Sequence, residues 1–421
     1  MNFIGLDLGT GAVKGVLWDG EKIVYGNGVN VEFIREGDAV EIDANVYRES
    51  VLSLIRGLAA AGDAPVAAIA MCAASGNTLV TDADGRPKTR IVSWLDNRKE
   101  PSPDPNIHEV VGWPWPQGFP FAHLLRMRRE TPEIFTPDAR VCMNNDYIQF
   151  VLCGKFALDH SSATPYYLQD QKHFCYYRPY LQMLDLREEQ LSRLVPSGTA
   201  IGKLRPELAN GNLTTETRIV AGSFDHPSGA RACGIVNEDE MLLSCGTSWV
   251  GFRPARERKI VPGTLADPYM VHEGGCWGEI RSWGKVGLEL EAWIVEHYTD
   301  SPERYRRFGN DALAGDGPAR AKMIDTVTRF RAKAFPEARF SRIVLAGGPS
   351  ESPAWRKFLA ETWQCKIELS PYKKYTGAVG AAMLARNGFE SRLQKPSPAS
   401  SRHDLCVTGK CSFTKFRTSP K

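Results

Sequence analysis

The apolar positions of the first 75 residues fall in short runs broken by glycine-bearing turns. Residues 3–8 and 13–18 flank a Gly-Thr-Gly turn, and 22–26 follows the turn at Asp19-Gly20, so the spacing predicts a three-strand meander. Asp43 is placed to cap a helix carrying Val46, Leu54, Ile55 and Leu58 on one face and closed by Gly62. Residues 66–73 then read as a buried strand. A meander followed by helix and strand in alternation predicts a mixed sheet with helices packed on it.

Between about 100 and 215 the pattern turns helical and loop-rich. Helices are predicted over 122–129, 144–153 and 186–195, separated by stretches such as GWPWPQGFPF at 112–121. Alternation resumes with a strand from Arg218 and a helix over 227–233. A second hairpin follows, its strands at 240–245 and 249–252 joined by Gly246-Thr247-Ser248. The pattern ends with a helix at 319–334, a strand at 342–348, a helix at 352–363, a strand at 366–369 and a helix at 375–386. Two Gly-Thr hairpins, GLDLGTGAVKGVL and LLSCGTSWVGF, suggest a weak internal duplication with one copy opening each domain. The boundaries expected are 1–236 for the first domain, 239–388 for the second, and a basic flexible tail over 389–421.

Composition narrows the class. With 421 residues, 43% hydrophobic and 24% charged, the chain has the make-up of a globular protein large enough for two domains. The net charge is +3, but 391–421 alone holds seven Lys/Arg against one acid; the body without it has 45 basic and 48 acidic residues. A nearly neutral body carries no electrostatic footprint for nucleic acid. The ten cysteines are scattered without a CxxC pair, which reads as reduced thiols rather than a disulfide frame or zinc site. No basic leader precedes the first strand and no apolar run approaches ~20 residues, so a cytoplasmic protein without a membrane span is expected.

Three places have the right residues for chemistry. Gly9-Thr10-Gly11, between two strands, offers backbone N–H groups to phosphate oxygens, with Asp7 beside it as a water-mediated holder of Mg2+. Asp225 follows a strand and precedes the small-residue run PSGARACG, a position suited to a general base at a cleft and equally to a helix cap. LAGGPSESPAW at 345–355 places a Gly-Gly turn after a buried strand, where backbone approaches a flat ligand closely.

In order and separation these elements resemble the FGGY carbohydrate kinases over residues 2 to 388. The resemblance rests on DLGTG with Lys14, on Gly246-Thr247-Ser248, on GSFDHPSGARACG, and on Gly347-Gly348 with Ser352-Pro353-Trp355 and the 377–385 helix. Further echoes are LVTDADGRP (79–87), Trp94-Asp96-Arg98, Pro132-Glu133, Asp146-Tyr147, LDHSSAT (158–164) and PSGTAIG (196–202). The resemblance implies an α/β, two-domain actin-like ATPase (ribonuclease H-like) fold with the ligand cleft between its lobes. It implies transfer of the ATP γ-phosphoryl group to a hydroxyl of a ketose or polyol, pentulose-like favoured, with Asp225 as general base and Mg2+ at Asp7 and Asp225. ATP would lie on Gly9, Thr10, Gly11, Lys14, Gly246, Thr247, Ser248, Gly347 and Gly348. The sugar would meet Ser75, Asn77, Trp94, Asp96, Arg98 and His226. It also allows a homodimer.

Three departures from the family stand out: Trp249 and Pro349 occupy positions where small residues are usual, and only about 100 residues separate Gly246 from Gly347. That spacing predicts a trimmed second lobe, lacking a Pro-rich loop and strand pair ahead of the 319–334 helix. It keeps open a second reading, a catalytically weak ATP- and sugar-binding sensor of the same fold. A hydrolase acting without an acceptor is disfavoured by the sugar-kinase echoes.

Overall fold

The computed structural model describes residues 1–391 apart from Ser75, Gln117, Thr247 and Asp300. The basic tail from 392 onward and the two candidate residues Ser75 and Thr247 therefore lie outside the described residues, while 389 and 390 belong to the last helix. No helix among the described residues is long and apolar enough to cross a membrane.

The first sheet is built from β1 (Asn2–Leu8), β2 (Ala12–Trp18), β3 (Ile23–Asn30), β4 (Val66–Ala73), β5 (Ala200–Lys203) and β6 (Arg218–Phe224), in the order β5-β6-β4-β1-β2-β3. The second comprises β7 (Glu240–Cys245), β8 (Trp249–Ala255), β9 (Leu265–Asp267), β10 (Trp277–Trp283), β11 (Arg342–Gly347) and β12 (Lys366–Leu369), in the order β9-β10-β8-β7-β11-β12. In both, an antiparallel meander (β1-β2-β3, β7-β8-β10) extends into parallel strands (β4 and β6, β11 and β12) on the other side of its first strand. The expected duplication is thus visible as topology. Each sheet gains one further strand, β5 or β9, at opposite ends of that shared order. The strand pair β9-β10 also lies ahead of the 319–334 helix, where the residue spacing had suggested a loss.

Helices follow the predicted pattern with instructive exceptions. In α1 (Ala44–Ala60), Asp43 Oδ1 accepts the N–H groups of Asn45 and Val46 at 2.9 and 3.0 Å, as expected of a cap. Val46, however, is 52% exposed, and Tyr47 takes its place on the buried face; one position along a helix turns the side chain by ~100°. The helix expected over 186–195 is a 3-10 turn (Glu188–Gln190) followed by a strand (Arg193–Val195) paired with Ala157–Asp159. Pro196 explains this, since the residue before a proline is pushed out of the helical region.

In the second lobe, α3 (Val286–Tyr298), α4 (Arg304–Ala314), α5 (Pro318–Ala334) and α6 (Pro353–Trp363) bury Trp249, Phe308, Phe330 and Phe358. The last helix, α7 (Thr376–Glu390), was expected in the second domain yet packs on the first sheet. Its Ala378, Val379, Ala382 and Ala385 bury Phe3, Val16, Trp18 and Val220. Glycines permit the approach: a Cβ on Gly5 would stand 1.9 Å from Ala378 O. One on Gly380 would stand 1.8 Å from Ser228 O, in α2 (Asp225–Ala232), the helix that follows β6.

Candidate active site

β6 ends at Phe224, and Asp225 is the first residue of the following helix. The capping alternative fails in detail. The helix has no side-chain cap bond at its start, and Asp225 Oδ1 accepts only the N–H of His226 at 2.7 Å, leaving Oδ2 without a partner among the described residues. The carboxylate lines a cavity of ≈ 440 Å³ between the lobes. Burial raises its pKa, opposed by the charges of His226 and Lys14. A carboxylate so held keeps the basicity a proton acceptor needs.

Asp7 reaches the same cavity from the end of β1. The strand register sets its neighbours: Lys14 lies opposite on β2 with Nζ 3.9 Å from Oδ2, and Cys72 lies opposite on β4 with Sγ donating to Oδ1 at 3.8 Å. Burial pushes the Asp7 carboxyl up to about 6, Lys14 opposing and Asp225 adding to the rise. Two acids facing one cavity, one of them raised by the charge of the other, fit a hard cation, which would relieve that repulsion.

The second lobe supplies the facing wall with Ser244, Gly347, Gly348 and Ser350. Gly347 is at φ +91°, and a Cβ there would meet Cys245 O, its neighbour on β7, at 2.1 Å. Only glycine lets the turn lie this close to the adjacent strand. Gly348 also lines a second cavity of ≈ 800 Å³, with Gly246 at its edge and Trp249, Ile294, Phe308 and Trp355 among its walls. The departure at Trp249 is thereby explained: its ring is fully buried, 5.2 Å from that of Trp355, and forms wall rather than obstruction. Both volumes lie in the range of small-molecule sites.

The two Gly-Thr bends stand differently. Gly246 borders the larger cavity, whereas Gly9-Thr10-Gly11 stands outside the lining of either and is represented there by its flanking Asp7 and Lys14. Neither Gly9 nor Gly11 has a positive φ. Gly9 is needed for space, because a Cβ would come 2.8 Å from Ala12 O. Ser248 closes the second bend through its carbonyl, which accepts the N–H of Gly246 at 3.0 Å.

The expected sugar contacts divide. His226 lines the central cavity. Trp94 Nε1 donates to Thr10 Oγ1 at 3.0 Å, and Asn77 Oδ1 accepts the Trp94 N–H at 3.1 Å, so these two brace the first bend. Asp96 and Arg98 pair with one another, and for Asp96 this corrects the expectation. Asp96 is 3% exposed, and both its oxygens are occupied by Arg98, Arg126 and the Val40 N–H, while Arg98 also bonds Glu41 at 2.7 Å. Burial alone would raise the Asp96 carboxyl, yet these donors hold it below its usual value. A carboxylate so saturated has no lone pair left for a hydroxyl. Sequence reasoning missed Ser244, Ser350, Lys373 and Lys374 in the cavity wall; only the equivalence of Ser244 to Asp7 in the duplicated hairpin was a usable signal.

Comparison with known proteins identifies the fold and the family. Xylulose kinase of Escherichia coli (strain K12) is 26% identical over 302 residues, 69% of this chain and 60% of that protein. Xylulose kinase of Lactococcus lactis subsp. lactis (strain IL1403) is 22% identical over 91% of this chain and 87% of its own length. The crystal structure of ligand-bound xylulose kinase from Lactobacillus acidophilus superimposes with a TM-score of 0.81 at 19% identity, covering 94% of this chain and 90% of that one. That likeness shows the fold, the two-lobed actin-like arrangement that the family resemblance implied. The N-terminal domain of the FGGY family of carbohydrate kinases matches residues 2–231, more than half the chain and every strand of the first sheet, and to this family the protein belongs.

Proposed function

We propose that the protein transfers the γ-phosphoryl group of ATP to a hydroxyl of a pentulose-like sugar. The observation that carries this reading is that two cavities share Gly348 in their walls, one lined largely by apolar side chains and the other holding Asp7, Asp225 and three lysines. The base would occupy the apolar cavity and the triphosphate would pass over Gly347-Gly348 towards Asp225. The acceptor hydroxyl would approach from the first lobe, beside His226. Asp225 Oδ2 takes the hydroxyl proton as the acceptor oxygen bonds to phosphorus and the bond to the β-phosphate oxygen breaks. Asp7 and Asp225 would hold Mg2+, which supplies neutralisation of phosphate charge. Both curated relatives named above are xylulose kinases, which favours a pentulose over a hexulose or polyol.

A coupled ADP-release assay across ketoses and polyols tests the proposal. Wild-type protein should turn over with a pentulose, and Asp225→Asn should lose roughly 10²–10⁴-fold of that rate. Equal turnover in both proteins would remove Asp225 from the role of base.

A further inference from the structure

The loop from Ser370 to α7 touches both lobes. Its 3-10 turn, Lys373–Tyr375, contacts β2 of the first sheet and β11 of the second. The ring of Tyr375 lies where a Cβ on Gly26 would fall, 2.8 Å from the Tyr375 Cζ. Within this turn Lys373 is held at φ +49°, the left-handed region that a side chain disfavours. Its backbone is fastened on both sides: its N–H donates to Ser370 O at 3.3 Å and its C=O accepts from Thr376 Oγ1 at 2.7 Å. The buried hydroxyls of Ser370 and Thr376 bond one another at 2.5 Å. A lysine kept in a conformation suited to glycine is the kind of local strain that persists at ligand clamps.

Charge gives the strain a purpose. Lys14, Lys373 and Lys374 line the central cavity together with Asp7 and Asp225. Lys14 is engaged by Asp7 at 3.9 Å. Among the described residues neither Lys373 nor Lys374 has a carboxylate partner, and Lys374 rests instead over the Tyr375 ring, 5.2 Å from its centroid. The cavity thus has two acids from the first lobe and, on the turn that bridges the lobes, two ammonium groups without a carboxylate partner among the described residues. A polyphosphate lying between them would turn its oxygens to the lysines and its bound cation to the acids.

We propose that Lys373 and Lys374, on the turn that bridges the lobes, contact the terminal phosphates of the nucleotide and neutralise the group in transfer. The proposal rests on the kinase reading above. It is tested by calorimetric titration of wild type, Lys373→Gly, Lys374→Ala and the double variant with ATP, ADP and adenosine at two salt concentrations. Each single variant should weaken ATP roughly tenfold, the double variant more, while adenosine binding stays unchanged. The salt dependence of ATP affinity should flatten in the double variant. Lys373→Gly should keep or raise the Tm, since glycine occupies the left-handed conformation without penalty, so lost ATP affinity cannot be ascribed to unfolding. Unchanged ATP affinity in the variants, or equal losses for ATP and adenosine, would overturn the role of the lysines and leave the kinase reading intact. Failure of the wild type to bind either ligand would overturn both.

Discussion

At the scale of single residues, the duplicated hairpin shows where the two lobes part. Asp7 and Ser244 occupy equivalent positions, each two residues before the glycine of its Gly-Thr bend, and both line the central cavity. The first lobe therefore brings a carboxylate where the second brings a hydroxyl, so the cation proposed above would be held from the first lobe. Keeping Asp7 there is costly. Burial holds its proton up to about pH 6, against an ordinary value of 3.8, so between those values the folded chain binds more protons than the unfolded chain. Stability from this group accordingly falls as pH rises through that window and stays lower above it. Asp7→Asn should stabilise the protein by about 1–3 kcal/mol at pH 8 and by little at pH 4, while turnover is lost. Thermal melts at the two pH values alongside the ADP-release assay would check this. A variant equally stable at both, or still active, would contradict the assignment.

At the scale of elements, legibility followed locality. Both Gly-Thr hairpins, the strand before Asp225 and the Asp43-capped helix were readable because strand alternation, turn glycines and caps are local signals. Asp96 was misread because a Trp-x-Asp-x-Arg pattern does not show that Arg126 and the Val40 N–H will saturate its oxygens. Lys373 and Lys374 were passed over because their place in the cavity depends on the chain returning from β12 to the first sheet. The small residues of α7 entered the family resemblance, and the structure adds a packing reason. Gly380 abuts Ser228 of the helix that begins with Asp225, at a distance admitting no side chain. Gly380→Ala should therefore cost about 1–3 kcal/mol in denaturant unfolding. By shifting the Asp225 helix it should also lower kcat on the order of 10²-fold. A fall in stability with kcat preserved would show that the crossing supports the fold without setting the site.

At the scale of the whole molecule, the lobes are fastened unevenly. β9 of the second sheet is bonded to the first lobe: Ala266 O accepts Trp113 Nε1 and Gln171 Nε2, each at 2.9 Å, and Asp267 Oδ2 accepts Ser161 Oγ at 2.7 Å. Close by, Arg231 pairs with both carboxylate oxygens of Glu273. The described hydrogen bonds of the Gly9–Gly11 bend, by contrast, stay within the first lobe, to Trp94 and Val31. A body pinned along one side and unpinned at the bend is built to rotate about the pinned side, which would carry Gly9–Gly11 onto a triphosphate resting at Gly348. Adding ATP with an accepted sugar should then reduce the radius of gyration in solution scattering, and an unchanged profile would argue against rotation. Ser161 tests the pin itself, because its Oγ also accepts the Phe224 N–H at 3.1 Å, one residue before Asp225. Ser161→Ala leaves that buried donor and Asp267 without their shared partner, at a cost of about 1–3 kcal/mol. If the tie only stabilises, the Tm should fall and the pH profile of kcat should keep its shape. If it sets the base, the acidic limb of that profile should move as well, since burial pushes the Asp267 carboxyl up to about 7 and the charge of Asp225 adds to that rise. The arrangement of Phe224, Ser161 and Asp267 in one chain of bonds favours the second outcome, and an unmoved profile in a folded Ser161→Ala protein would refute it.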